Sequence, residues 1–209
     1  MTEFRSRFRR ALSAGSYSGA TVKGDFRCGV ALQATCREMR FEDCRMEQIN
    51  FSGSKFDDCH FVRCNLSGAN FNATTFHDSS FNDCTLDMAG FRGASLWRTS
   101  LVGGRAEYSS FEEALVRDCL FDIQLHGADL RFSSTKGLDM GTSNLWAASA
   151  NFSCRNFRDV RYSEDQVQTF LGLIARTTGN DELRKSISGL LSAKTARIIE
   201  VLVRREQEV

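Results

Sequence analysis

The chain has 209 residues, of which 42% are hydrophobic and 25% charged, and its formal net charge is +1. This composition indicates a soluble chain that is long enough to bury the core of one large domain. No apolar run is long enough to span a bilayer, so we expect no membrane partner.

The N-terminal segment predicts a short helix. Phe4, Phe8 and Leu12 recur every four residues, which is typical of a helical cap over residues 1–15. The same segment is rich in arginine and therefore resembles a transit peptide, but it contains Glu3 and lacks the hydrophobic core of a signal peptide. We therefore expect a cytoplasmic protein.

A period of five residues follows this segment. From Phe26 to Phe121, every fifth residue is nearly always apolar, and these residues are the centres of the repeat. Two positions before each centre lies a mostly small residue, such as Gly24 or Ala69, and the remaining positions are mostly polar. Such a period fits neither an α-helix nor a strand. It predicts a chain that turns a corner every five residues, with one large and one small side chain pointing inward from each side.

This pattern resembles the pentapeptide-repeat family, in which a small residue, then often Asp or Asn, precedes Leu or Phe and two polar residues. The closest matches are Ala69-Asn70-Phe71, Ala128-Asp129-Leu130 and Cys64-Asn65-Leu66. The resemblance covers about residues 16–162. It implies an all-β solenoid, a right-handed quadrilateral β-helix in which four repeats form one coil.

Residues twenty apart would then lie directly above one another. Three of the predicted columns sort by side-chain type: Phe51, Phe71, Phe91 and Phe111; Phe41, Phe61, Phe81 and Phe121, with Leu101 among them; and Phe26, Met46, Leu66, Leu86 and Ala106. Such sorting is typical of stacked layers that pack closely.

Most of the eight cysteines fit the same scheme. Cys44, Cys64 and Cys84 share one column of small residues, and Cys59 and Cys119 share another. Buried cysteine behaves as a small hydrophobic residue. We therefore expect reduced thiols that pack in the core, with no metal site and no cofactor.

The register changes near the end of the repeat. After Phe121 the phase slips by one residue to Leu125 and Leu130, which predicts a bulge or a short loop. From Ser163 onward the pattern becomes helical. Residues 163–209 are therefore predicted to cap the β-helix, and the chain is expected to form a homodimer through one broad apolar stripe: Leu183, Ile187, Leu190, Leu191, Ile198 and Leu202.

No catalytic motif is apparent in the sequence. It contains no phosphate-binding loop, no zinc-protease motif and no nucleophile elbow. Adjacent carboxylates such as Glu42 and Asp43 are expected to splay along a corner rather than to face a common cleft. We therefore predict a protein that is not an enzyme.

The charges are unevenly distributed along the chain. Residues 41–122 carry 7 basic and 13 acidic side chains, whereas both flanking segments are basic. This acidic belt could be a solvated surface, or it could bind a partner. The predicted partner-binding residues are Glu107, Glu112, Glu113, Asp118 and Asp122.

The resemblance also implies a function. One branch of the family protects DNA gyrase and topoisomerase IV from inhibitors, because its acidic rods occupy the basic groove that normally holds DNA. The first hypothesis is therefore a non-catalytic DNA mimic that binds gyrase or topoisomerase IV and contacts no nucleic acid itself. An immunity factor against a topoisomerase-directed toxin would share this mechanism. The alternative is a protein–protein scaffold or effector with no topoisomerase role.

Overall fold

The computed structural model describes residues 15–130 and 133–139, together with the backbone of residues 157–158. The predicted N-terminal cap, apart from Gly15, and the predicted C-terminal helical segment 163–209 lie outside the described residues. Domain boundaries at these ends therefore stay predictions.

The described residues form a four-sided parallel β-helix, which confirms the predicted all-β solenoid. We number the sides 1 to 4 in chain order, beginning at Phe26, Ala31, Cys36 and Phe41. Sides 3 and 4 are parallel sheets of eight and six strands. Sides 1 and 2 consist of single bridges between coils, such as Asn65 to Thr85 and Asn50 to Asn70.

The strands of side 3 are β1 (Ser16–Ser18), β3 (Thr35–Arg37), β5 (Lys55–Asp57), β7 (Thr75–His77), β9 (Ser95–Trp97), β11 (Leu115–Arg117), β13 (Ser134–Lys136) and β14 (Phe157–Arg158). The strands of side 4 are β2 (Thr21–Val22), β4 (Arg40–Glu42), β6 (His60–Val62), β8 (Ser80–Asn82), β10 (Ser100–Arg105) and β12 (Leu120–Gln124). Each strand pairs in parallel with the strand of the next coil, so every coil is held to its neighbours by backbone hydrogen bonds.

The corners of the β-helix share one backbone conformation. Fifteen described residues other than glycine have a positive φ, and all of them lie two positions after a centre, as Asp58 (51°) and Arg98 (47°) do. This left-handed conformation is uncommon for residues with a side chain. It persists here because corner N–H groups donate hydrogen bonds to the next coil, as when Asp58 N donates to His77 O over 3.0 Å.

Stacked aromatic rings fill the core. The rings of Phe41 and Phe61 are 4.7 Å apart between centroids, and those of Phe61 and Phe81 are 4.8 Å apart, all nearly parallel. Phe51 and Phe71 stack in the same way on side 2. Rings on neighbouring sides meet edge to face, as Phe51 and Phe71 each meet Phe56. The predicted sorting of the columns is therefore confirmed.

The small inward residues connect the coils through their own hydrogen bonds. Ser54 Oγ donates to Ala31 O over 2.7 Å and accepts a hydrogen bond from Ala34 N over 3.1 Å. Thr74 Oγ1 donates to Phe51 O over 3.0 Å. These hydroxyl groups are therefore satisfied within a core where an unpaired polar group would be destabilising.

The cysteines occupy the columns that the sequence predicts. Among the described residues, seven cysteines are free thiols, and all of them except Cys28 are buried. Cys44, Cys64 and Cys84 each place Sγ between 3.2 and 3.4 Å from a carbonyl oxygen of the preceding coil. The predicted packing role of this column is therefore confirmed for the described residues.

The predicted bulge lies on the strand that precedes the slip. Val102 pairs with Asp122 and Arg105 pairs with Gln124, so two residues of β10 lie opposite Ile123 alone. Those two residues are Gly103 and Gly104, both with positive φ. Ile123 is buried, and the new register continues through the buried Leu125 and Leu130.

A second slip was not predicted. Val22 pairs with Phe41 across only nineteen residues, because the step from Val22 to Phe26 has four residues where other coils have five. The slip after Phe121 occurs at the same corner, between sides 4 and 1. Partners on neighbouring coils are twenty residues apart between these two places, as Phe41 and Phe61 are.

Candidate binding surface

The five predicted partner-binding carboxylates fall on a single coil, the one that contains Phe111 and Phe121. Glu107 lies on side 1, Glu112 on side 2 and Asp122 on side 4. Glu113 and Asp118 occupy the corners that follow sides 2 and 3, both with positive φ. The structure therefore brings these residues together as a ring around the β-helix and not on one face. We call this set the acidic ring.

One arginine of the preceding coil contacts two members of the acidic ring. Arg92 lies 3.6 Å from Glu112 Oε2 through Nε and 3.1 Å from Glu113 Oε1 through a terminal nitrogen. The hydrogen bond with Glu113 and the charges of both glutamates raise the pKa of Arg92. Since the Glu113 side chain remains 52% exposed, solvent screens this contact and leaves the carboxylate accessible.

Near the N-terminal end of the acidic belt, one pair of carboxylate groups is contacted by two cations at short distance. Arg63 lies 2.8 Å from Glu42 and 2.7 Å from Asp43, and Lys23 contacts the same two carboxylates. The hydrogen bond from Arg63 is the main reason that the pKa of Asp43 is lowered. The sequence did not indicate that these adjacent carboxylates would have cations in common. They share cations above and below, because a corner residue and its predecessor both lie within reach of the next coil.

A cluster of basic, acidic and aromatic side chains lies on side 3 and at the corner that follows it. Arg98 forms two hydrogen bonds with the carboxylate of Asp78, which lowers the pKa of Asp78, and it also contacts His77 Nε2 at 2.7 Å. The guanidinium of Arg98 lies 5.2 Å from the ring centroid of Trp97, within the range of a cation–π contact. His77 Nδ1 lies 3.2 Å from Asp57. Carboxylates on this side are therefore partly neutralised by neighbouring cations.

A serine, a histidine and an aspartate are in contact on side 4. His60 Nδ1 lies 2.9 Å from Ser80 Oγ, and His60 Nε2 lies 3.3 Å from Asp58 Oδ1. Asn82 Nδ2 also donates to Ser80 Oγ, and Ser80 N is already bonded to Cys59 O. A nucleophile needs free donors that face the developing oxyanion, whereas this backbone donor belongs to the sheet. The contacts of the trio link two neighbouring coils.

Three outward residues were not singled out from the sequence. Met88, Trp97 and Tyr108 are large, apolar or aromatic, and exposed. Each occupies a repeat position that is polar on average, so the pattern alone assigned them to the solvated surface. Their individual chemistry was the signal that could have identified them.

Neither a metal site nor a membrane-spanning helix occurs in the described part of the chain. Within residues 15–130 and 133–139, no three His, Cys, Asp or Glu side chains are grouped so that they could hold a metal ion. Over the same residues, no helix has the length and apolar character needed to cross a membrane.

Comparison with known proteins identifies the repeat. Residues 54–132 match the family model of the pentapeptide repeat region. No curated protein matches the sequence.

Several solved structures resemble this chain at low identity. A trypsin-treated variant of QnrB1, a plasmid-mediated fluoroquinolone resistance protein, is 18% identical with a TM-score of 0.41, over 76% of this chain and 95% of that one. HetL from Nostoc sp. strain PCC 7120, a pentapeptide repeat protein involved in heterocyst differentiation regulation, is 12% identical with a TM-score of 0.29, over 78% and 93% of the two chains. A pentapeptide repeat protein from the Arabidopsis thaliana thylakoid lumen is 18% identical with a TM-score of 0.21, over 78% and 87%.

Proposed function

We propose that this member of the pentapeptide-repeat family is a non-catalytic protein that binds a type II topoisomerase, either DNA gyrase or topoisomerase IV, and protects it from inhibitors or toxins. The proposal includes the cytoplasmic location that the sequence predicts. The observation that supports it best is the acidic ring, whose carboxylates surround one coil.

A ring of charge suits a partner that encloses the rod. A DNA duplex carries phosphates around its whole circumference, and a protein groove that holds DNA presents Lys and Arg on several walls. Glu107 and Asp122 lie on neighbouring sides of the rod, Asp118 lies at the corner between sides 3 and 4, and Glu113 lies at the corner between sides 2 and 3. A flat basic surface could reach only part of this set, whereas a groove that grips a duplex could reach most of it.

The rigidity of the rod favours such recognition. Phe111 and Phe121, two centres of the coil that carries the acidic ring, are both completely buried. The backbone of the ring is fixed by hydrogen bonds to the coils on both sides, such as Asp118 N to Lys136 O at 2.8 Å. A preorganised surface loses little conformational entropy on binding. Because the interior of the described coils is filled by side chains, we place the binding function on the outside.

The experiment compares two charge reversals in one corner column. Asp118→Lys changes the acidic ring, and Asp58→Lys makes the same change three coils lower, where Asp58 contacts His60. We expect wild-type protein to bind purified gyrase at micromolar concentration or below and to alter supercoiling in the presence of an inhibitor. Asp118→Lys should weaken binding at least fivefold, and Asp58→Lys less than twofold. Binding should also weaken steeply as salt is added.

The outcomes separate the hypotheses. Wild-type protein that leaves both gyrase and topoisomerase IV untouched at micromolar concentration rules out the topoisomerase proposal. Equal losses in the two variants would show that overall charge, and not the acidic ring, drives binding. The scaffold or effector alternative predicts that neither reversal matters, whereas removal of residues 163–209 abolishes capture of the partner.

A further inference from the structure

Two neighbouring side chains project from the corner between sides 1 and 2. Met88 is 67% exposed and Tyr108 is 61% exposed, more than any other large hydrophobic residue in the described part of the chain. They lie twenty residues apart, so they are adjacent along one corner column. We call this pair the apolar ridge.

Fold stability does not explain the apolar ridge. Met88 and Tyr108 both hold the left-handed conformation, with φ of 56° and 55°. Glycine adopts that conformation without a steric penalty, and it occupies the same column at Gly68 and Gly127. Exposure of a large apolar side chain gains no burial energy either. The left-handed backbone is common to the corners of the β-helix, so it is the exposure of two large apolar side chains at successive positions of one column that indicates a function here.

The position of the Tyr108 ring is fixed by its neighbours. A Cβ atom at Gly127 would lie only 2.5 Å from Tyr108 Cδ1, so the ring lies directly over the glycine. The ring of His126 meets the Tyr108 ring edge-on, with centroids 5.4 Å apart. Tyr108 N donates to His126 O over 2.8 Å and fixes the backbone. The exposed aromatic group is therefore oriented before any partner arrives.

Carboxylates flank the apolar ridge on both sides. Asp87 and Glu107 immediately precede Met88 and Tyr108 on side 1, and Asp129 follows the corner of the next coil on side 2. Arg105 Nε lies 2.7 Å from Asp87 and partly neutralises the charge of that carboxylate. The surroundings of the ridge are therefore acidic, with an apolar centre.

We propose that the apolar ridge is the anchor of a docking site for a basic protein surface that carries an apolar pocket between Lys and Arg side chains. A corner of a prism is convex, so it fits a concave partner. Large aromatic residues in a desolvated centre with charged groups at the rim are typical of interface hot spots. The inference deepens the proposed function, because it gives the basic partner a second, apolar point of contact beside Glu107 of the acidic ring.

The test uses three synthetic peptides of equal length, labelled for fluorescence anisotropy. The first is rich in Lys with a central Phe-Leu-Phe, the second replaces Lys by Glu, and the third keeps Lys but replaces the apolar centre by Gly-Ser-Gly. We expect the full chain to bind the first peptide most tightly. The double variant Met88→Ser, Tyr108→Ser should weaken that binding at least tenfold, to the level of the third peptide.

Two matched variants keep the result interpretable. Leu115→Ser changes an apolar residue that is 44% exposed on side 3 of the same coil, and it should alter binding less than twofold. Gly127→Ala keeps both ridge residues but displaces the tyrosine ring, and it should weaken binding of the first peptide alone. Thermal melts of each variant report whether the fold is intact.

Several results would overturn the inference. One is a double variant that binds the first peptide within twofold of wild type, and another is a Glu-rich peptide that binds as tightly as the Lys-rich peptide. A third is a wild-type dimer in light scattering that the double variant no longer forms, because the ridge would then contact a second copy of the chain. Wild-type protein that binds the first peptide but not gyrase or topoisomerase IV would overturn the proposed function alone. If the double variant binds both the topoisomerase and the first peptide as tightly as wild type does, this inference alone is overturned.

Discussion

Phe91 and Phe111 stack with their ring centroids 4.7 Å apart and their planes within 3° of parallel. They are twenty residues apart in sequence, and Ser110 O accepts a hydrogen bond from Phe91 N over 2.6 Å. The aromatic contact and the backbone contact therefore join the same two coils. Removal of one ring must disturb the coils above and below it.

Phe71 is the most informative ring to remove. It stacks between Phe51 and Phe91 and meets Phe56, Phe61, Phe76 and Phe81 at an angle. We expect Phe71→Ala to lower the free energy of unfolding by about 3–5 kcal/mol, because it leaves a cavity that stacked neighbours cannot close. Urea denaturation measures the loss. Lys55→Ala, on the exposed surface of side 3, should change stability by less than about 0.5 kcal/mol. Similar losses in the two variants would contradict the assignment of inward positions.

Buried thiols should make the fold sensitive to alkaline pH. Burial raises the pKa of Cys36 to about 12 and the pKa of Cys59 and Cys119 to about 11. An unfolded thiol has a pKa of about 8.5. The stabilisation is therefore complete below about pH 8.5 and is lost as pH rises toward 11. Each such thiol should contribute up to about 1.4 kcal/mol per pH unit in this window.

The measurement is the free energy of unfolding between pH 8 and pH 11, under reducing conditions. Cys59→Ala with Cys119→Ala should flatten the decline, because the double variant removes two thiols whose pKa burial raises. In native protein at pH 8, a thiol reagent should modify Cys28 rapidly and the buried Cys44, Cys64 and Cys84 slowly. Rapid modification of those three thiols would show that the coils open far more often than a packed core permits.

The bulge in β10 depends on the absence of a side chain at Gly104. A Cβ atom there would overlap Cys84 O, which is backbone and cannot move aside cheaply. We expect Gly104→Ala to destabilise the fold by about 2–5 kcal/mol, from left-handed strain together with overpacking. Gly93→Ala is the matched control, since Gly93 has a similar φ of 63° and nothing lies within 4 Å of its added Cβ. It should lose only about 1 kcal/mol. Thermal or urea melts that rank the two variants equally would show that the bulge relaxes without strain.

Self-association through the C-terminal segment remains a prediction from the sequence. If the stripe that contains Leu183, Ile187 and Leu190 forms a dimer, light scattering should give twice the mass of the chain at tens of micromolar. A chain that ends at residue 162 should then be monomeric. The double variant Ile187→Glu, Leu190→Glu should be monomeric as well, because it places unpaired charges in the stripe. A monomeric wild-type protein at that concentration would disprove the dimer.

The regular part of the fold could be predicted because one number governs it. A period of twenty fixes both the strand register and the stacking of Phe41, Phe61 and Phe81, so sequence separation gives spatial contact directly. The slip at Val22 was not predicted because Val22 lies one residue out of phase with Phe26 and its series. Bulges are local departures from the period, and a period-based argument identifies them only where several centres follow the new phase, as Leu125 and Leu130 do.

The candidate surface was less predictable than the core. The sequence showed which carboxylates point outward, but not that Glu42 and Asp43 would share cations or that Glu107 and Asp118 would fall on opposite parts of one coil. Long Arg and Lys side chains reach either the coil above or the coil below, and a repeat pattern does not distinguish these choices. Met88 and Tyr108 occupy repeat positions that are polar on average, so the repeat pattern predicted polar residues there, although both side chains are largely apolar.

The two short steps, Val22 to Phe26 and Phe121 to Leu125, bound the part of the rod in which twenty residues always make one layer. Between them, a copied layer such as residues 64–83 could be inserted or deleted without any change in the direction that the neighbouring side chains face. The rod would lengthen or shorten by about 4.8 Å, the spacing between adjacent strands. Its length can therefore change in whole layers, so the distance between the acidic ring and the N-terminal coils is adjustable by duplication while every inward and outward position is kept.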